Sequence, residues 1–196
     1  MNYRQILAAL DKQRSKNPPS DSFEDKPSGQ YPCIWLNDDQ KGLAKEIGTK
    51  RNLSKSPLIR ANDSGYHAGK GREFPHILGV GGEIAHSIYF GLTLDEDFYA
   101  GGDEFDFGGL LEVKTATWLG QDVHLKVKVF EFERKKPKSY SLARVSKSLS
   151  WVEIIGYINR EDFERKKVLR NYGYEDNYTV GVSDLKLITS PTDLTL

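Results

Sequence analysis

The order of patterns along the chain predicts an α/β domain built on a central mixed β-sheet flanked by helices. Three observations carry this. The segment GGEIAHSIYFGL sets Ile84, Ile88 and Leu92 four apart, the period of a helix. From Phe105 to Lys114, two short runs around Gly108-Gly109 read as strands joined by a tight turn. Strand-like runs follow at 123–132, 140–145 and 151–158, after which Asn159 is placed to cap a closing helix over 160–170, with Gly173 just beyond it.

The N-terminal part is less regular. Residues 3–15 suit a short helix with Ile6, Leu7 and Leu10 on one face, and the proline-rich stretch 17–32 reads as a linker or loose arm. Residues 37–47 have helical character, while 49–72 are polar, basic and poorly periodic. Residues 1–75 are thus expected to form a helical, basic arm region of the same domain, and 76–196 its core.

Composition narrows the function classes. With 196 residues, 38% hydrophobic and 29% charged, the chain suits one soluble domain. No apolar run reaches the roughly 18 residues that span a bilayer, and MNYRQILAALDKQ lacks a signal-peptide pattern, so a cytoplasmic protein with no membrane partner is expected. The single cysteine, Cys33, excludes an internal disulfide and a cysteine-based zinc site. Net charge is zero, but residues 76–123 carry 1 Lys/Arg against 9 Asp/Glu, and residues 124–170 carry 13 against 6. An acidic centre beside a basic flank suits a protein that gathers cations at one place and phosphates around it.

The chemistry concentrates in Asp106-Phe-Gly-Gly-Leu-Leu-Glu112-Val-Lys114. On a strand Glu112 and Lys114 share a face, and a hairpin brings an aspartate alongside. Two carboxylates with an ammonium beside them make a site for a hard cation such as Mg²⁺. Which aspartate joins depends on register. A strict two-residue turn at Gly108-Gly109 pairs Phe105 with Glu112 and puts Asp103 on the face of Lys114; a bulge or three-residue loop brings Asp106 there instead.

Asp106…Glu112-x-Lys114 resembles the PD-(D/E)xK nuclease superfamily, which includes restriction-type endonucleases, Holliday-junction resolvases and phage or viral nucleases. The resemblance covers roughly residues 80–165. It implies a restriction-endonuclease-like core and hydrolysis of DNA phosphodiester bonds with Mg²⁺ or Mn²⁺. It also implies catalytic roles for Asp106, Glu112 and Lys114, and a metal shell of Asp106 and Glu112 completed by Glu83 on the preceding helix. It favours Asp106 over Asp103. The six-residue interval from Asp106 to Glu112 is short for the family, and Asp106 follows Phe105 where the motif has proline.

Other features fit the same expectation. Arg134, Lys135, Lys136 and Lys138, with Arg144 and Lys147, are candidate phosphate contacts on DNA, and Arg51, Lys55, Arg60, Lys70 and Arg72 form a more diffuse basic region. The spacing of His67, His76 and His86 matches no familiar zinc pattern, so they read as ordinary histidines. Gly79-Val-Gly-Gly-Glu-Ile-Ala85 lacks the dinucleotide fingerprint and reads as a flexible entry into the helix carrying Glu83. Cutting both strands of a duplex leads to the expectation of a homodimer or larger symmetric oligomer. The competing expectation is a nucleic-acid-binding or assembly protein on the same fold that no longer cleaves.

Overall fold

The computed structural model describes residues 26–54, 73–94, 106–117, 123–173 and 175–194. Asp103, the expected helix at 3–15, and the basic residues Lys55, Arg60, Lys70 and Arg72 lie outside them, as does His67. Four strands form a mixed sheet: β1 (Cys33–Trp35), β2 (Leu111–Ala116), β4 (Ser139–Val145) and β5 (Trp151–Asn159), in the order β1-β5-β4-β2. β5 runs antiparallel to both β1 and β4, and β2 runs parallel to β4. β2 therefore ends the order, and its parallel pairing needs the crossover that β3 (His124–Lys128) and helix α3 (Val129–Arg134) provide.

The mixed sheet flanked by helices is as expected, but not every expected strand belongs to it. β3 belongs to a second, antiparallel sheet of order β3-β7-β6, with β6 at Val168–Asn171 and β7 at Asp176–Gly181. The run 123–132 is a strand only to Lys128 and then turns into α3. Helix α4 (Arg160–Lys166) is shorter than expected and gives way to β6. Its cap is the expected one: Asn159 Oδ1 accepts from the Asp162 N–H at 2.7 Å.

Helix α1 (Asp38–Ser54) outruns the expected 37–47, and α2 (Phe74–Phe90) begins well before Gly81. The Gly79–Gly82 stretch is therefore helix interior, not a loose entry. Two of its glycines have a packing reason. A Cβ on Gly82 would lie 2.5 Å from Thr115 Cγ2, and one on Gly81 would lie 2.9 Å from Leu149 Cδ2. Bare backbone lets α2 press against β2 and the sheet, which sets Glu83, the next residue, beside the edge strand. At its far end Gly91 takes φ 68° and stops the helix in the left-handed cap that glycine adopts freely.

Apolar side chains fill both faces of the four-stranded sheet. Ala44, Ile47, Leu78, Val80 and Ile84 of α1 and α2 meet Leu111, Val113, Ala143, Val145, Val152 and Ile154 in one cluster. Tyr140, Leu142, Ile155 and Ile158 face the other way, onto Leu125, Val127, Phe132, Phe163 and Val180. A bulge shifts the β4–β5 register between Leu142 and Ala143, where Ile155 is the extra residue on β5, so β5 exchanges its sides there: Val152 and Ile154 share a cluster with Tyr157, and Ile155 shares the other with Ile158. Residues 26–32, read as linker, dock instead: the Pro32 carbonyl accepts from Ile154 N, and Ser28 and Gly29 bind Glu153. No described helix is long and apolar enough to cross a membrane.

Candidate active site

The turn before β2 decides which aspartate faces Glu112. Leu110 N donates to the Phe107 carbonyl at 3.0 Å, with Gly108 at φ 59° and Gly109 at φ 81°. Two successive positive φ values are costly for any residue with a Cβ, which accounts for the Gly-Gly pair. The bridge beyond the turn joins Phe107 to Leu111, not to Leu110. That one-residue shift puts Phe107 and Leu111 together in the core and sets Asp106 opposite Glu112. Asp106 Oδ2 then accepts from Val113 N at 2.7 Å, taking the place of a further strand at the edge of β2.

Glu112 is 4% exposed. Its Oε1 accepts from Lys114 Nζ at 3.0 Å and from Lys135 Nζ at 3.2 Å, while Oε2 is buried with no hydrogen-bond partner. Lys114 donates also to Glu131 Oε2 on α3 at 2.9 Å. From the helix side, Glu83 is 3% exposed and gripped by Arg51 of α1 through two bonds of 2.5 and 2.9 Å. Such a fork fixes both carboxylate oxygens at once.

The groups titrate as a set. Burial pushes the Asp106 carboxyl well above the ordinary range; the negative charges of Glu83 and Glu112 add to this, and Lys114 and the Val113 N–H offset part of it. Burial likewise raises Glu83, against the pull of Arg51, with Glu112 adding to the rise. Burial weakens the hold of Lys114 on its proton, but the charges of Glu112, Glu131 and Asp106 outweigh it and hold the ammonium more firmly than in water. Glu131 ends below the ordinary carboxylate range: burial opposes ionisation, and the Lys114 ion pair overcomes it. Carboxylates of one sign meeting at a sheet edge in this way are held only by the cations threaded among them.

Glu83, Asp106, Glu112 and Lys114 thus share one electrostatic site. Among the described residues, no three His, Cys, Asp or Glu side chains stand together as a ready metal cage. Arg51, Lys114 and Lys135 hold Glu83 and Glu112 in this arrangement.

The expected phosphate contacts divide. Arg134, Lys136, Lys138 and Lys147 are exposed, and Lys136 and Lys138 line a recess of about 400 Å³ with Asn159, Arg160 and Glu161. Lys135 instead turns inward to Glu112. Arg144 is also committed elsewhere: it binds Glu153 Oε2 at 2.7 Å, donates to the Lys26 carbonyl and stacks 4.6 Å from the Trp151 ring. His86 is a core histidine, fully buried, whose Nδ1 donates to the Gly82 carbonyl at 2.8 Å. The alternation of VHLKVKV reads as a strand and carries the reading on through FEF, which hides Glu131. Its spacing of four from Lys135, a helical interval, was the one signal pointing to it.

Fold and site together define a mixed α/β protein with a buried acid–lysine cluster at a sheet edge. In comparisons with known proteins, no family model, no curated protein and no solved structure matches the chain.

Proposed function

We propose that the chain is a divalent-metal-dependent deoxyribonuclease of the PD-(D/E)xK kind, hydrolysing DNA phosphodiester bonds endonucleolytically on a restriction-endonuclease-like core. The observation that carries this reading is the unpartnered Glu112 Oε2, buried beside Asp106, whose carboxyl is raised by burial and by its acidic neighbours. A buried carboxylate oxygen without a partner is expensive, and a hard cation is the ligand that would satisfy it. The donor set fits such an ion: Asp106 and Glu112 would hold Mg²⁺ or Mn²⁺, with Glu83 behind them. A bound ion of this kind lowers the pKa of its water and offsets charge growing on the phosphate.

The chain's own residues supply the rest. Lys114, kept charged by Glu112 and Glu131, orients the attacking water or meets charge developing on the phosphate. Asp106 is held by the Val113 N–H, with the charge of Glu112 felt at its carboxyl. The exposed Arg134, Lys136, Lys138 and Lys147 bind the DNA backbone, and two copies of the chain are needed to cut both strands. A second reading has one observation in its favour. Arg51 satisfies both Glu83 oxygens, an arrangement that also suits a protein that binds DNA without cutting it.

The deciding experiment incubates the protein with supercoiled, linear and four-way-junction DNA in Mg²⁺, Mn²⁺ or EDTA. Metal-dependent cleavage lost in Lys114→Ala supports the nuclease. Binding without cleavage under every condition supports the second reading, and neither binding nor cleavage removes both.

A further inference from the structure

We infer that Phe130 and Arg134 form a stacking platform for an unpaired nucleobase, so that the substrate presents single-stranded or branched DNA to the site. This rests on the nuclease reading and narrows its substrate class. Helix α3 points three neighbouring residues in three directions, because each step turns about 100°. Phe132 faces the core, with its ring centroid 5.5 Å from that of Phe163. Glu131 faces the site and holds Lys114 at 2.9 Å. Phe130 faces outward and is 55% exposed.

A lone exposed aromatic is ordinary on a protein surface. This ring carries a second feature. The Arg134 guanidinium, one helical turn on, stands 5.5 Å from its centroid, giving one mixed aromatic and cationic face. An aromatic ring with a cation against it suits a nucleobase and its phosphate, since every base has a π-face and every nucleotide a charge. The platform lies one residue from Glu131, which holds Lys114 of the carboxylate cluster. A paired duplex keeps its base faces stacked inside, so Phe130 engages a base only where pairing is interrupted.

The test is fluorescence anisotropy in EDTA, which prevents cleavage, with a labelled single-stranded oligonucleotide and the blunt duplex of the same sequence. Phe130→Ala is expected to weaken single-strand binding about tenfold while changing duplex binding less than about twofold. Phe130→Trp is expected to keep single-strand affinity, with indole emission quenched by the single strand and not by the duplex. An equal loss on both substrates, or no loss on either, overturns the platform. Should the unmutated protein cleave DNA while Phe130→Ala binds single strands normally, the platform falls and the nuclease stands. Failure of the unmutated protein to bind or cleave any DNA removes both. Because Phe130 is exposed, the variant's thermal melt is expected to match the parent's and serves as the folding control.

Discussion

Two buried glutamates sit on strands of the same sheet and meet opposite ends. Glu153 of β5 is completely provided for: Oε1 accepts from Ser28 N, Ser28 Oγ and Gly29 N, and Oε2 accepts from Arg144. Glu112 of β2 is not, since Oε1 takes two ammoniums and Oε2 takes none. Glu153 stands opposite Arg144 in the β4–β5 register, inside the sheet. Glu112 stands on the edge strand, with Asp106 across from it and Glu83 close enough to add its charge. A saturated buried acid fastens the fold; an unsaturated one among like charges costs stability, which the proposed role of Glu112 as a cation ligand would account for.

The largest effect should therefore come from the saturated pair. Arg144→Met strands the Glu153 charge in the interior and is expected to cost about 3–5 kcal/mol in urea denaturation. Glu112→Gln, which keeps an oxygen for Lys114, is expected to cost about 1 kcal/mol or less. Equal losses would erase the distinction between the two acids.

Next in size is a pH effect from the core. Burial lowers His86 from 6.5 to about 4, and the Gly82 carbonyl offsets part of the shift. The Ser141 hydroxyl lies 2.8 Å from Nε2 and 3.0 Å from the Gly156 carbonyl, with one proton for the two. A depressed histidine contributes its stability above its unfolded value and loses it as pH falls. Unfolding free energy is expected to drop by roughly 3 kcal/mol between pH 6.5 and pH 4. Replacing His86 by Gln should flatten that slope, whatever the substitution itself costs.

A smaller effect of opposite sign is expected at the edge. The raised Asp106 carboxyl opposes folding where it is ionised, so Asp106→Asn should stabilise the protein at neutral pH by about 1 kcal/mol. The gain should shrink as the pH is lowered and the native carboxyl takes up its proton. The same variant is expected to abolish cleavage. Destabilisation at neutral pH would mean that Asp106 serves the fold alone.

The smallest change per residue concerns DNA. Combined alanine replacement of Arg134, Lys136 and Lys138 should weaken binding and flatten its dependence on salt. The slope of log affinity against log salt should fall by about 0.9 for each phosphate left without its cation. Adding Arg144 to that set should change the salt slope no further, because its guanidinium is held by Glu153 and the Lys26 carbonyl. Binding titrations over a range of salt concentrations check both.

Local signals carried the legible part of the structure. Ile84, Ile88 and Leu92 marked α2, the run through Glu112 and Lys114 marked β2, and Asn159 marked the start of α4, because each depends on a few adjacent residues. The second sheet was hidden: Val168 and Leu169 are 54% and 58% exposed, and charged DFERKK before them continues a helical pattern. The Arg144–Glu153 pair depends on a strand register that a bulge displaces, so neither residue could be matched to its partner beforehand. At the site, the acids and the lysine were legible as a motif, whereas the choice between Asp103 and Asp106 required the turn. The Phe107–Leu111 bridge puts Asp106 opposite Glu112.

Calorimetric titration with Mn²⁺ tests most directly whether Glu112 and Asp106 form a cation site. The unmutated protein and Glu133→Gln, which alters an exposed glutamate on α3, are expected to bind with the same affinity. Glu112→Gln and Asp106→Asn are each expected to weaken that binding at least about tenfold, since each removes one charged oxygen ligand. Binding of equal strength in all four proteins, or none in the unmutated protein, would contradict the assignment and leave the cluster a set of ion pairs at the edge of a sheet.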